Sequence, residues 1–283
     1  MLDKIKTVGV VFKPDDTTLI KNYNQILEIL KRYDIELLLE KNSAKLLNKT
    51  GLDFDRLCKN CDFLLSIGGD GTIISTARKA YGYDIPILGI NFGKLGFLVD
   101  IVQDEFESFI KDMKIKNYKI DKRMMLQLTQ NKERFYSFND IVICKKSMKG
   151  LVDISAKIQS KKFNHYRGDG VIISTPTGST AYNLSCGGPV VYPLGCGIIV
   201  TPISAHSLTQ RPVVLPQSFE LEFENCGKED VLVILDGQEV KELNIGETIF
   251  ISQAPKKARL IHKTEKNYFD SLNKKLRWGD YDR

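Results

Sequence analysis

The sequence predicts an α/β protein, with a doubly wound parallel-sheet domain at the N-terminus and an all-β, sandwich-like domain after it. Three observations predict this. In the first hundred residues, β-branched apolar runs alternate with segments of helical period; beyond them, strand-like runs follow one another closely with Gly, Pro and Asn between; and 283 residues at 42% hydrophobic content can fill two cores.

Taken in order, "TVGVVF" (Thr7 to Phe12) reads as a strand. Pro14, Asp15 and Asp16 then open a helix with Leu19, Tyr23, Ile26, Leu27 and Leu30 on one face. "IELLLE" reads as a second strand, Leu52 to Leu57 as a short helix, "DFLLSI" as a third strand, Thr72 to Tyr81 as a helix and "IPILGI" as a fourth strand. A helix is expected at Glu105 to Met113, after which come "MMLQLT", "FYSFNDIVI", "DISAKIQ", "GVIIST", "GIIVT", "RPVVL", "FELEF", "VLVIL" and "TIFIS". The last segment, "NYFDSLNKKLRWG", returns to helical spacing through Tyr268, Leu272 and Leu276. These runs place an α/β domain at residues 1–100, with residues 262–283 packing back on it, and a β-rich domain at 101–261.

Composition narrows the classes of function. No run of 18 apolar residues occurs, and "MLDKIKTVGVVF" lacks the apolar core and cleavage site of a signal peptide, so a cytoplasmic protein without a membrane anchor is expected. The six cysteines are scattered, and the Cys58-x-x-Cys61 pair has no second pair to complete a zinc site, so all six are read as free thiols. A net charge of +6 is spread among acidic residues rather than gathered in a basic stripe, which suits small anionic ligands and gives no footprint for nucleic acid.

The stretch "LLSIGGDGTIIS" carries the first chemical signal. Gly68, Gly69 and Gly71 lie between an apolar strand and a helix, where backbone amides and the helix N-terminus can face phosphate oxygens, with Thr72 beside them. The pattern is neither a Walker A nor a Rossmann fingerprint. Asp70 sits where an anion would be repelled unless it binds a metal, accepts a proton or holds a hydroxyl. A kinase-type acceptor and a simple N-cap of the next helix both stay open on this turn alone.

A second constellation, "YRGDGVIISTPTGSTAYNLSCGGPVV", gathers hydroxyl side chains at Thr175, Thr177, Ser179, Thr180 and Ser185, with Tyr182 placed to stack on a base. Between the two, Asn139 and Asp140 interrupt the apolar run "FNDIVI". Of the histidines, His206 reads as structural, His165 adjoins "YRGDG", and His262 reads as a solvated group in a basic tail.

Together "GGDGT", "FND", "RGDG", "STPTGSTAYNLSCGGP", "TPISAHSLTQRP" and "DGQ", in that order, resemble the NAD kinases over most of the chain. The resemblance implies transfer of the γ-phosphoryl of ATP, or in some members of polyphosphate, to the 2′-hydroxyl of the adenosine ribose of NAD. It implies Mg²⁺ brought with the nucleotide, a pocket for NAD between the two domains, and homo-oligomers, often tetramers. Carried over by position, Asp70 is the proton acceptor with Gly71 beside it, and Asn139 and Asp140 bind ribose hydroxyls. Arg167, Asp169, Thr180, Ala181, Tyr182, Asn183, Leu184, Ser185 and Gln238 match further binding positions. Relatives usually carry Glu where Asp140 stands, and many carry Ala at Cys186 and Pro at Ala205. Two other readings remain, a lipid or sugar kinase sharing the glycine turn and an NAD-binding sensor without kinase activity. The polar second constellation argues against an apolar lipid entrance.

Overall fold

The computed structural model describes residues 2, 5–14, 19–92, 96–99, 101–147 and 149–277. Asp15 and Asp16, read as the start of the first helix, and Trp278 and Gly279 at the end of the last lie outside the described residues. The chain forms two compact units, Met1–Lys122 together with Ala258–Arg283, and Arg123–Lys257.

The first unit opens with β1 (Thr7–Phe12), α1 (Leu19–Arg32), β2 (Glu36–Leu39), α2 (Lys41–Leu46), α3 (Phe54–Asn60), β3 (Phe63–Ile67), α4 (Asp70–Lys79) and β4 (Pro86–Asn91). It continues with the short β5 (Ile101–Val102), α5 (Phe106–Lys114) and β6 (Lys119–Arg123). The helical period of α1 buries Tyr23, Ile26 and Leu30, and Lys31 and Arg32 in its last turn complement the helix dipole. Helix α2, which the sequence did not suggest, starts at Glu40, whose carboxylate accepts the Ser43 N–H at 2.9 Å.

The second unit runs through β7 (Leu126–Gln130), β8 (Glu133–Ser137), β9 (Asp140–Lys145), β10 (Val152–Ile158), β11 (Lys161–Gly168) and β12 (Gly170–Ser174). After the single turn α6 (Tyr182–Ser185) come β13 (Ile198–Ile203), β14 (Val213–Leu215), β15 (Leu221–Asn225), β16 (Val231–Leu235), β17 (Glu239–Leu243) and β18 (Thr248–Gln253). They form two six-stranded sheets in the orders β11-β10-β15-β18-β7-β8 and β14-β13-β12-β9-β16-β17. Alternate residues of both sheets, among them Leu126, Leu128, Ile141, Ile143, Ile154, Val171, Phe223, Val233 and Ile251, meet in one core. Burying each such side chain stabilises the fold by about 1.5–3 kcal/mol. The run "FYSFNDIVI" is not one strand: β8 ends at Ser137 and β9 begins at Asp140, because the amides between them turn to a side chain described below. Strands β11 and β17 are additional to those read from the sequence.

The chain then returns to the first unit as β19 (Ala258–His262) and α7 (Tyr268–Leu276), the latter capped by the Asn267 side chain, which accepts the Phe269 N–H at 3.1 Å. The first sheet has the order β2-β1-β3-β4-β19-β6, with β5 beside β4. Its described pairs β1–β2, β1–β3, β3–β4, β4–β5 and β4–β19 are parallel. The first unit therefore extends past residue 100 to Lys122 and takes in residues 258–261. Helix α5 joins the core of β1, β3 and β4 through Phe106, Phe109, Ile110 and Met113, and β19 registers on β4 with Leu260 opposite Ile87. His262, at the end of this buried strand, is 1% exposed and is no part of a solvated tail.

Candidate functional site

In the first unit the strand order reverses between β1 and β3, which is where open α/β sheets bind ligands at the carboxyl ends of their strands. The turn after β3 is anchored on its neighbours, with Lys13 donating to the Ile67 carbonyl and the Gly68 N–H donating to Ile90, both at 2.9 Å. Gly68 has φ +149°, and a Cβ there would collide with the hydroxyl of Thr72, whose side chain is buried under the turn. A Cβ at Gly69 or Gly71 would meet nothing within 4 Å, so the backbone at these two positions is open to close approach.

Gly69, with no capping side chain, is the N-cap of α4, and Asp70 is the first residue inside the helix. The Asp70 carboxylate instead reaches the segment 97–99: Oδ2 accepts the Phe97 N–H at 2.8 Å, and Oδ1 accepts those of Leu98 at 3.2 Å and Val99 at 3.3 Å. Gly96 permits this approach, since a Cβ there would lie 2.5 Å from Oδ2 and closer still to Oδ1. A carboxylate offers about four lone-pair sites, so these three donors leave one, on Oδ2. N-capping is thus not what Asp70 does here. The segment 96–99 is the part of this half-site that the sequence did not reveal; the glycine of "KLGFLV", one residue before three consecutive donors, was the only local signal.

In the second unit the turn between β8 and β9 is organised by Asp236, which sits at φ +52° between β16 and β17. Its carboxylate accepts the Ser137 hydroxyl at 2.6 Å and the N–H groups of Phe138 at 2.9 Å, Asn139 at 2.7 Å and Asp140 at 3.2 Å. On the other side Asn139 presents its carbonyl to the Thr175 N–H at 2.8 Å, and Thr175 Oγ1 donates to the Phe138 carbonyl at 2.9 Å. Gly178 closes this contact, because a Cβ there would fall 2.6 Å from the Asn139 carbonyl carbon. The two sequence motifs, touching through residues 35 or more positions apart, therefore form one structure.

Beside this turn lies a cavity of about 380 Å³ lined by Asn139, Asp140, Val142, Cys144, Ala181, Tyr182, Ile234, Asp236 and Gly237. Ligand pockets commonly fall between about 300 and 1,000 Å³. Tyr182 is 46% exposed at its mouth. Asn139 Oδ1 and Thr177 Oγ1 are buried without a hydrogen-bond partner, and among the described residues nothing donates to the Asp140 carboxylate. Burial, and next the charge of Asp236, push the Asp140 carboxyl up to about 7.

The other positions named from the sequence are distributed differently. Asn183 is buried, with its amide nitrogen donating to Ser179 and Pro189 carbonyls at 3.0 and 3.1 Å and its oxygen accepting the Thr201 hydroxyl at 2.6 Å, so its side chain pins the loop from within. Thr180, Leu184 and Ser185 flank Ala181 and Tyr182 without lining the cavity. Gln238 is exposed, one residue beyond Gly237. Arg167 lines a separate 390 Å³ cavity with Lys145 and Asp153, and Asp169 is paired with Lys145 at 2.6 Å, a hydrogen bond that holds its carboxyl below the usual range. His165 pairs with Asp153 at 2.5 Å, and His206 is exposed, with its N–H on the Arg167 carbonyl. All six cysteines are free, and burial pushes the Cys58 and Cys61 thiols up to about 12. Among the described residues no group of three or more His, Cys, Asp or Glu side chains is placed to hold a metal ion.

A carboxylate in a glycine turn at the switch point of a parallel sheet, and a ligand-sized cavity in a β-rich unit with Asn139 and Asp140 in its wall, are the parts of a nucleotide-dependent phosphotransferase. Known proteins narrow the class. The model of the ATP-NAD kinase N-terminal domain matches residues 8–118 and that of the ATP-NAD kinase C-terminal domain matches residues 138–263. An NAD kinase of Sulfurimonas denitrificans is 49% identical over 280 residues, covering 98% of each chain, and one of Wolinella succinogenes is 45% identical over 99% of this chain and 98% of its own. The chain belongs to the ATP-NAD kinase family. Among solved structures, yeast NADH kinase complexed with NADH shares the fold at a TM-score of 0.90 and 23% identity, covering 99% of this chain and 90% of that one. An Archaeoglobus fulgidus NAD kinase in complex with ATP gives 0.77 at 27% identity, over 96% and 98%.

Proposed function

We propose that this chain transfers the γ-phosphoryl group of ATP to the 2′-hydroxyl of the adenosine ribose of NAD, making NADP, with Asp70 as proton acceptor. The observation that carries the assignment is the Asp70 carboxylate itself, held in the glycine turn by three amides with one acceptor site left on Oδ2. A hydroxyl that donates to this site is oriented and can pass its proton to Oδ2 as its oxygen forms the bond to phosphorus and the bond to the leaving ADP breaks. Gly69 and Gly71, open to approach, are assigned to the phosphates with Gly68 and Thr72 shaping the turn beneath them.

The cavity of the second unit is assigned to NAD. Asn139 and Asp140 suit ribose hydroxyls, because Asn139 Oδ1 lacks a donor and the Asp140 carboxylate is free of donors among the described residues. Tyr182 suits a base, which stacks on its exposed ring. The donor set also fits Mg²⁺ carried by ATP: a hard cation that keeps several waters needs one or two carboxylates, and Asp140 can receive a metal-bound water. When brought with ATP, the cation would supply neutralisation of charge on the transferring phosphoryl group. Homo-oligomeric assembly and a cytoplasmic setting belong to the same proposal and are supported by the family resemblance; no helix among the described residues is long and apolar enough to cross a membrane.

Incubating the protein with ATP, Mg²⁺ and NAD and detecting NADP tests the function; NAD binding without product would favour a sensor. Asp70→Asn should lower turnover by about 10² to 10⁴ with NAD binding kept, and near-normal turnover in that variant would remove Asp70 from the role.

A further inference from the structure

The C-terminal segment of the first unit reaches the proton acceptor through two peptide groups. Lys266, in the link between β19 and α7, points its ammonium at the carbonyl oxygens of Leu98 at 3.4 Å and Phe97 at 3.5 Å. These belong to the same peptide units whose N–H groups bind Asp70. The Phe97 carbonyl and the Leu98 N–H are one amide, and the Leu98 carbonyl and the Val99 N–H are the next; both N–H groups donate to Asp70 Oδ1. Two amide dipoles thus lie side by side, each with its oxygen toward the cation and its N–H toward the anion. An ammonium on the oxygen of an amide polarises it and strengthens the hydrogen bond given by its N–H.

Lys266 is itself held in place. Its backbone carbonyl accepts the Lys119 ammonium at 2.7 Å, and His262 Nδ1 lies 3.1 Å from its Nζ. With Nδ1 as acceptor, the ring carries its proton on Nε2, a tautomer assigned from the partner, and Nε2 faces Asp121 at 3.7 Å. His262 is 1% exposed, so the arrangement is built into the unit rather than laid on its surface. The ammonium has three protons, and Phe97, Leu98 and His262 supply three acceptors.

We propose that Lys266 is a positioning residue for phosphoryl transfer: by holding the Phe97 and Leu98 carbonyls it keeps two amides on Asp70 Oδ1 and so leaves Oδ2 to the substrate hydroxyl. The proposal rests on Asp70 as proton acceptor. Without the ammonium, segment 97–99 loses its hold from behind, Oδ1 loses donors, and the carboxylate can rotate its open site away from the hydroxyl.

The test combines Lys266→Met, Lys266→Arg and Asp70→Asn with hydrogen exchange at the Leu98 and Val99 amides. Lys266→Met should lower turnover about five- to thirtyfold, the effect of one or two lost interactions of ordinary strength, with the KM values for NAD and ATP within about twofold. Exchange at Leu98 and Val99 should quicken, and Lys266→Arg, which keeps a cationic donor, should restore both readings. Added to Asp70→Asn, Lys266→Met should cost less than about a further twofold, because the two residues act as one unit. A full additional loss in the double variant, or unchanged exchange in Lys266→Met at unaltered melting temperature, would overturn the proposal. If Asp70→Asn alone keeps its turnover, the base assignment fails, and the exchange measurement still decides whether Lys266 holds the two peptides.

Discussion

A carboxyl group at 5% exposure beside a second carboxylate binds its proton more tightly than it does in water, and Asp140 is such a group. Its pKa in the folded protein, about 7, lies above the ordinary 3.8, so from about pH 4 upward the unfolded chain releases this proton before the folded one does. Stability therefore falls as pH rises through that window and levels off above about 7. Asp140→Asn removes the effect. Thermal melts at pH 4, 6 and 8 should show no gain at the first, a growing gain at the second and at least about 3 °C at the third. An equal gain at every pH would mean that packing, and not the proton, sets the difference. The interruption at Asn139 and Asp140 was legible in the sequence as two polar residues in an apolar run. The role of Asp236, the first residue of "DGQ", in organising them was not, because its partners lie 96 to 99 positions earlier and no periodicity links them. His262 was misread for a related reason, since basic neighbours suggest solvent while its burial comes from a strand pairing made far away in the chain.

The two glycine-rich elements look alike in sequence and differ in what their glycines do. At Gly178 a side chain has nowhere to go, because the Asn139 backbone and, at 2.7 Å, Ser174 Oγ occupy the space. Gly178→Ala should lose about 1–3 kcal/mol, as overpacking does, and loosen the seating of the Asn139 turn, which raises the KM for NAD. Gly71→Ala meets open space and sits in the first turn of α4, where Ala is the better helix former by about 0.5–1 kcal/mol. Its melting temperature should hold or rise while its turnover falls, because the added methyl stands where the phosphates approach. Comparing melting temperature with kcat/KM for the pair separates a glycine kept for packing from one kept for a ligand; unimpaired turnover in Gly71→Ala would place the phosphates elsewhere. The alternation of strands and helices before residue 100 was legible because each element buries one face, and the period of that face is local. The segment 96–99 was not, since its contribution is three backbone N–H groups, which any residue but proline supplies.

At the scale of the molecule, the first unit is made from both ends of the chain and the second from its middle. The strand that completes the first sheet, β19, pairs with β4 some 170 residues earlier and stands between β4 and β6, with Leu260 at 0% and Ile261 at 1% exposure. Pairing at that separation leaves no trace in local pattern, which is why residues 258–261 read as the end of the β-rich domain. It has a thermodynamic consequence. A chain ending at Lys257 lacks a central strand, exposes the parallel edge of β4 and removes Lys266 and α7 as well, so its N-terminal part should not form a cooperative unit. The fragment 123–257 keeps both six-stranded sheets and their common core, so it should fold by itself. Urea unfolding followed by circular dichroism checks both. The fragment should unfold in one transition with a slope of about 1–3 kcal/mol/M, and the chain 1–257 should show that transition alone, without a second one carrying the helical signal. A cooperative helical transition in the chain 1–257 would show that the first unit folds without its returning strand, and that β19 is an addition to the sheet rather than a part of its core.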